Sequence, residues 1–248
     1  MNAILFDAVG KQFSGSDRGN GEEWAVRDLS FSVAKGEVIA VVGKTGCGKS
    51  TMFNLLSGLI EPSKGRIEVE GKDPYADFNA LQGRIGIIFQ NDRLMPWRTA
   101  LDNVCLGLEL QNKLPKAEQQ KKSRAWLEKL HLSGYENAYP HELSGGMKQR
   151  VAISRAFALN PSVLLCDEPF SALDEITANT LRQEFVNLVS HSDMTAMFIT
   201  HSIDEALTVA SRVLVFGRPA RVVLDVAVNG AETSRDRAKA EIREALAL

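Results

Sequence analysis

Gly43-Lys44-Thr45-Gly46-Cys47-Gly48-Lys49-Ser50-Thr51 constrains this chain more than any other stretch, because it carries the pattern G-x-x-x-x-G-K-[ST]. The glycines let the backbone turn through positive φ and present successive N–H groups to phosphate oxygens, a concavity that a β-carbon would obstruct. Lys49 is then placed to reach the β- and γ-phosphates, and Ser50 to put its hydroxyl on Mg²⁺. The flanking residues agree. Val38 to Val42 is an apolar run of the buried-strand kind, and Met52, Phe53, Leu55, Leu56 and Leu59 form one helical face that Gly58 and Pro62 bring to an end. Strand, glycine loop and helix come in the required order. The loop opens into a helix N-terminus, where unpaired N–H groups and the macrodipole favour an anion. A nucleoside triphosphate is the expected ligand.

The balance of 29 Lys and Arg against 31 Asp and Glu leaves a formal charge of −2 over 248 residues, so no strong pull toward nucleic acid or anionic lipid is expected. Cys47, Cys105 and Cys166 are odd in number and scattered, which reads as free thiols in a reducing compartment. The N-terminus, Met1 to Asp7, has no basic region and is not a signal peptide, and no apolar run approaches the length that spans a bilayer. The expectation is a soluble cytoplasmic chain, whose membrane role would require a separate spanning partner.

Along the chain, Leu29, Phe31 and Val33 alternate with serines, and Ile67 and Val69 with glutamates, which predicts an antiparallel flank. Ser14 to Glu23 reads as a flexible loop. Arg84 to Phe89 is a buried strand ending on Gln90. A helical insertion follows over about 91–158, with Thr99 capping one helix (Leu101, Val104, Leu108) and Pro115 starting another (Trp126, Leu127, Leu130). Ser144-Gly145-Gly146 opens a further helix that Asn160-Pro161 halts. Ser162 to Cys166 is an apolar strand running into Asp167-Glu168, Leu181, Phe185 and Leu188 mark a helix, and Thr195 to Thr200 is a strand ending at His201. Ser202 and Glu205 form a capping box. Arg212 to Phe216 and Arg221 to Val226 are the last strands, and the tail 229–248 holds a short helix. Strands alternating with helices imply a mainly parallel sheet, whose ligands sit outside the strands' carboxyl ends. The glycine loop, Gln90, Glu168 and His201 all fall there.

Asp167 suits a Mg²⁺ ligand, because a carboxylate at the end of an apolar strand is costly unless a cation or donors satisfy it. Glu168 is the candidate base that would orient and polarise a water attacking the γ-phosphate. The competing interpretation of such a pair is a turn or helix-start role. His201 suits a γ-phosphate contact or a structural role; His131, His141 and His191 lack such placement. Gln90 is a strand-end polar residue whose amide could bind the ion or the water.

Together these residues resemble the ATP-binding subunits of ABC transporters, in family order from about residue 4 to 217. Gly43–Thr51 resembles the Walker A motif, Gln90 the Q-loop glutamine, and Leu143-Ser144-Gly145-Gly146-Met147 the family signature. Val163 to Glu168 resembles Walker B with its catalytic glutamate, Ser171-Ala172-Leu173-Asp174 the D-loop, and His201 the switch histidine. The resemblance implies an α/β, P-loop (RecA-like) fold. Its parts would be a mainly parallel sheet with an antiparallel β flank and a helical signature subdomain, within a single ABC ATPase domain over 1–248. The nucleotide-binding core would be 1–90 with 159–228, the helical subdomain 91–158 and the tail 229–248. It further implies ATP and Mg²⁺, the latter on Ser50, Gln90 and Asp167. Two copies would form a head-to-tail dimer, ATP on one glycine loop being closed by Ser144 and Gly146 of the other. Family members stack an aromatic on adenine, which by position is Phe13, with Trp24 as the alternative.

Phe89 to Thr99, with Met95-Pro96-Trp97, resembles the region of nitrate, sulfonate and taurine importer ATPases that follows the Q-loop. Met95-Pro96-Trp97 would form a groove for a permease's cytoplasmic helix, or else a buried packing corner. The function implied is ATP-driven import through an integral membrane permease, with an extracytoplasmic solute-binding protein as indirect partner and the chain attached peripherally to the inner face of the membrane. The chain ends soon after Val228, so the regulatory domain of sugar-type subunits is not expected. The rival is a soluble ABC ATPase acting on nucleic acid or ribosomes. Such proteins carry a long coiled-coil insertion or tandem cassettes, and neither is present, nor is a basic stripe. The Ser144–Gly146 signature argues against a nucleotide kinase.

Overall fold

The computed structural model describes residues 2–13, 23–190, 192–228 and 232–247. In chain order its strands are β1 (Asn2–Phe13), β2 (Glu23–Ala34), β3 (Val38–Gly43), β4 (Lys64–Val69), β5 (Ile85–Ile88), β6 (Val163–Asp167), β7 (Thr195–Thr200), β8 (Arg212–Gly217) and β9 (Arg221–Ala227). The helices are α1 (Lys49–Leu56), α2 (Ala100–Gln111), α3 (Lys116–Lys129), α4 (Gly145–Ala158), α5 (Glu175–Ser190), α6 (Ile203–Val209) and α7 (Glu232–Ala247). The loop expected over Ser14–Glu23 lies outside the described residues up to position 22, as does His191, while Glu23 opens β2. The chain divides into two compact units, residues 1–81 with 193–248, and residues 82–192.

In the first unit the alternating segments form an antiparallel sheet in the order β2-β1-β4, with Phe6 opposite Phe31 on one side and Ile67 on the other. Period-2 alternation puts the apolar residues on one face, and there the rings of Phe6 and Phe31 stack at 4.6 Å between centroids. β3 pairs in parallel with β7 and with β8, and β9 closes the edge antiparallel to β8. Ile39 to Val42 have no exposed surface, as expected for a parallel strand covered on both faces.

α1 is shorter than its apolar pattern suggested. Gly58 turns through φ +73°, where a β-carbon would stand 2.1 Å from the Pro74 carbonyl oxygen, so the helix stops at Leu56. Leu59 therefore leaves the buried face and is 59 % exposed, contrary to the expectation that it continued that face. The tail helix α7 buries Ala238 and Ile242 and ties Lys239 to Asp204 of α6.

In the second unit β5 and β6 run parallel, Ile87 opposite Leu165. Thr99 caps α2 by accepting from the Asp102 N–H at 3.2 Å, and Pro115 stands immediately before α3. The apolar stripes of α2, α3 and α4 meet in a core that includes Leu101, Val104, Leu127, Leu143 and Val151. Trp126, Phe157 and Phe185 extend it by ring contacts at 5.2 and 5.7 Å, and Leu181 of α5 is also buried. The fold is α/β, a mostly parallel arrangement with an antiparallel sheet and helices. Among the described residues no helix is long and apolar enough to cross a membrane.

Candidate functional site

The first unit carries the glycine loop between β3 and α1. Gly46 and Gly48 take φ +77° and +108°, and a β-carbon on Gly48 would stand 2.4 Å from the Ala25 carbonyl oxygen. Glycine is thus required there by backbone conformation and by space. As the N-cap of α1, Gly48 offers no side-chain oxygen to the helix's first amides, and the first turn contains no acid. Those amides are left to an anion. Lys49 is buried, its Nζ donating to the Gly43 carbonyl at 2.6 Å and to that of Lys44 at 3.2 Å, so the ammonium is held inside the loop. Lys44, Thr45 and Ser50 are exposed and Thr51 half-buried, whereas Cys47 is buried, lying where a β-carbon on Gly43 would come within 2.7 Å of its sulfur. The loop suits a polyphosphate.

Phe13 ends β1 with 48 % of its surface exposed and Lys11 Nζ 5.5 Å from its ring, while Trp24 is half-buried under Lys64 Nζ. His201 is exposed immediately after β7. Behind it, the Ser202 N–H donates to Thr200 Oγ1, whose hydroxyl donates to Glu205, and Ser202 caps α6 by accepting from the Glu205 N–H at 3.2 Å.

The second unit carries the acidic residues. Asp167 is the last residue of β6, and it and Glu168 are half-buried. Glu168 adopts φ +45°, a conformation rare for a residue with a β-carbon, and its carbonyl accepts from the Ser171 N–H and hydroxyl at 3.2 and 3.0 Å. Gln90, exposed beyond β5, donates its Nε2 to the Glu168 carboxylate at 3.3 Å. Two residues far apart in sequence are thereby brought together. Within this unit the amide oxygen of Gln90 and the Asp167 carboxylate are hard oxygen donors of the kind that Mg²⁺ takes, and the Ser50 hydroxyl of the first unit is, by itself, another.

Ser144 is exposed and caps α4, accepting from the Met147 N–H at 3.3 Å, so the signature does open a helix. Leu143 is buried and anchors it. A β-carbon on Gly146 would meet the Thr177 methyl at 2.8 Å, which fixes glycine there, while Gly145 has ordinary room beside Leu173. Asp174 accepts from the Thr177 N–H at 3.0 Å, which holds its carboxyl below the usual carboxylate range and starts α5. Ser171 and Ala172 are exposed in this turn. Of the candidate permease contacts, Trp97 is 72 % exposed, Pro96 exposed and Met95 half-buried, so the buried-corner alternative does not hold for the tryptophan.

Residues 26–171 match the family described as ABC transporter. The chain belongs to that family. This ABC ATPase cassette is 42 % identical over 224 residues to the taurine import ATP-binding protein TauB of Pseudomonas aeruginosa, covering 90 % of this chain and 82 % of that protein. It is 41 % identical over 215 residues to the nitrate import ATP-binding protein NrtD of Synechococcus elongatus, covering 85 % and 75 %. Among solved structures it resembles the dimeric post-hydrolysis state of the ATP-binding cassette MJ0796 bound to ADP and Pi, with a TM-score of 0.80, 29 % identity and coverage of 92 % of this chain and 100 % of that one.

Sequence reasoning missed three polar side chains in the cassette's second unit, the buried Asn103 and Gln149 and the half-buried Arg155. Asn103 stands in register with the apolar stripe of Ala100, Val104 and Leu108, and Gln149 with that of Ala152 and Ile153. A polar residue on a buried stripe must be satisfied from outside its own helix turn, and that was the available signal.

Proposed function

We propose that this chain is the ATP-hydrolysing subunit of an importer for a small solute of the taurine, sulfonate or nitrate kind, working beneath a separate membrane permease. The identity to the taurine and nitrate import ATP-binding proteins, held over more than four-fifths of the chain, carries the reading. Two copies would close head to tail, the exposed Ser144 and half-buried Gly146 of each capping the triphosphate on the other's Lys49 loop, an arrangement with two equal sites. Phe13 would stack on adenine. Mg²⁺ would be held by Ser50, Gln90 and Asp167 and would neutralise charge on the phosphates. Glu168 would accept a proton from the attacking water while Gln90 keeps its carboxylate aimed, and His201 would contact the γ-phosphate. Closure around ATP and release after phosphate loss would then drive the permease, which Met95, Pro96 and Trp97 would touch at the membrane's inner face. A solute-binding protein would deliver the solute from outside.

The test is uptake by cells lacking this chain. They should lose import of taurine, an alkanesulfonate or nitrate, and recover it with the wild-type chain but not with Glu168→Gln. Unimpaired uptake of all three, with ATPase activity saturably stimulated by nucleic acid, would favour the soluble rival instead.

A further inference from the structure

Two side chains of α4 reach out of the helix and hold backbone carbonyls next to the Gln90–Glu168 pair. Gln149 is only 4 % exposed, and its Nε2 donates to the carbonyl of Pro169 at 2.6 Å, one residue beyond Glu168. Arg155, six residues further along, donates through its two terminal nitrogens to the carbonyls of Asp92 at 2.6 Å and Arg93 at 2.8 Å, two and three residues beyond Gln90. Burial weakens that guanidinium's hold on its proton, opposed by the nearby Asp92 carboxylate.

Both anchored segments carry a residue in the left-handed region. Glu168 has φ +45° and Arg93 φ +48°, conformations that an L-residue keeps only where its surroundings over-determine them. At each, a bond from α4 adds to that determination, to the carbonyl of Arg93 itself and to that of the residue after Glu168, whose own carbonyl is held by Ser171. The same helix begins at Ser144, the exposed N-cap of the signature. One rigid rod of 14 residues thus carries the signature at one end and both anchors along its length.

We propose that Gln149 and Arg155 are positioning residues through which α4 sets the geometry of the Gln90–Glu168 pair of its own chain. The inference rests on the head-to-tail reading above, in which Ser144 meets the partner copy's triphosphate. Occupation of one site would then be felt, through this helix, at the catalytic glutamate of the other. The two ATP sites are coupled by side-chain-to-backbone bonds within each subunit. A residue that merely supported the fold would have no effect on the cooperativity between sites.

The experiment measures ATPase rate against ATP concentration for the wild type, Gln149→Leu, which removes the donor at similar volume, and Arg155→Lys, which keeps the charge but loses the two-pronged fork. The wild type should give a Hill coefficient above 1 and bounded by about 2, the number of sites. Each variant should lower kcat roughly five- to tenfold, the size of one lost side-chain-to-backbone hydrogen bond felt at the pair it positions. Each should also bring the Hill coefficient to about 1. ADP affinity by calorimetry should stay within about twofold, because the Lys49 loop belongs to the other unit. Wild-type kcat and Hill coefficient in either folded variant would overturn the proposal. If Gln149→Leu loses ADP binding and so has not folded, Arg155→Lys alone decides. Sedimentation of Glu168→Gln with ATP separates the two layers: a protein that remains monomeric sinks the head-to-tail reading, whereas a dimer alongside unchanged variants sinks only the role of α4.

Discussion

Gln90 donates its side-chain amide to the carboxylate of Glu168 across 3.3 Å, and each of the two stands just beyond the carboxyl end of one of a pair of parallel strands. The bond engages Oε2 of that carboxylate and ties the two strand ends together. Glu168→Gln keeps the shape and loses the basicity, so it should slow ATP hydrolysis by roughly 10²- to 10⁴-fold while ATP binding persists. Steady-state phosphate release and equilibrium binding on the same preparation check this, and normal turnover would remove Glu168 from the role.

Gly48 combines a positive φ with a β-carbon position blocked by the Ala25 carbonyl. Gly48→Ala should therefore cost at least ~1–2 kcal/mol from the backbone alone and displace the first turn of α1. By contrast Gly46, also at positive φ, has nothing within 4 Å of its β-carbon position, so Gly46→Ala carries the backbone cost without the clash. Urea unfolding should rank Gly48→Ala below Gly46→Ala, and calorimetry with ATP should show the larger affinity loss for Gly48→Ala. Equal behaviour of the two would contradict the steric argument.

The glycine loop, the strand ends and the helix caps were legible because each is a local device: a backbone conformation only glycine takes, an apolar run, or a hydroxyl three residues before an amide. Thr99, Ser144 and Ser202 all cap the helices that their sequence context predicted. Leu59 was misassigned because its periodicity continues the α1 face, while the turn that expels it depends on a close approach of Gly58 to Pro74, a contact sixteen residues away. Which groups Gln149 and Arg155 hold was illegible for a related reason. Their partners are main-chain carbonyls twenty or more residues distant, and a carbonyl leaves no trace in the identity of the residue that carries it. Glu168 was read for its carboxylate, but its left-handed backbone was not, since nothing in its side chain asks for that conformation.

Lys49 has its ammonium on the carbonyls of Gly43 and Lys44, inside the concavity formed by the loop. An added phosphate would exchange two carbonyl partners for charged oxygens, a stronger charge-assisted contact. Lys49→Ala should weaken ATP binding by about tenfold or more, the scale of a lost bond to a charged group. Calorimetric titration measures it directly, and unchanged affinity would contradict the assignment of the loop.

The exposed Trp97 owes its presentation to the buried Asn103. Asn103 Oδ1 accepts from the Met95 N–H at 2.7 Å, and its Nδ2 donates to the carbonyls of Met95, Arg98 and Thr99 at 3.0–3.2 Å, which spans the turn on both sides of Trp97. Arg98 reinforces the turn by pairing with Glu109 at 2.7 Å, and that pairing raises its pKa. Fold and contact should therefore separate in two variants. Trp97→Ala removes a side chain that packs little on its own chain, so stability should change by less than about 0.5 kcal/mol, while ATP-dependent import in cells should fall if that ring meets the permease. Asn103→Leu strips the loop of one acceptor and of two N–H donors shared among three carbonyls and should cost about 2–4 kcal/mol by urea unfolding, besides impairing import. Import unaffected by Trp97→Ala would release the tryptophan from any partner, because an aromatic ring held out so rigidly and touching nothing in the membrane complex has no reason to matter for transport.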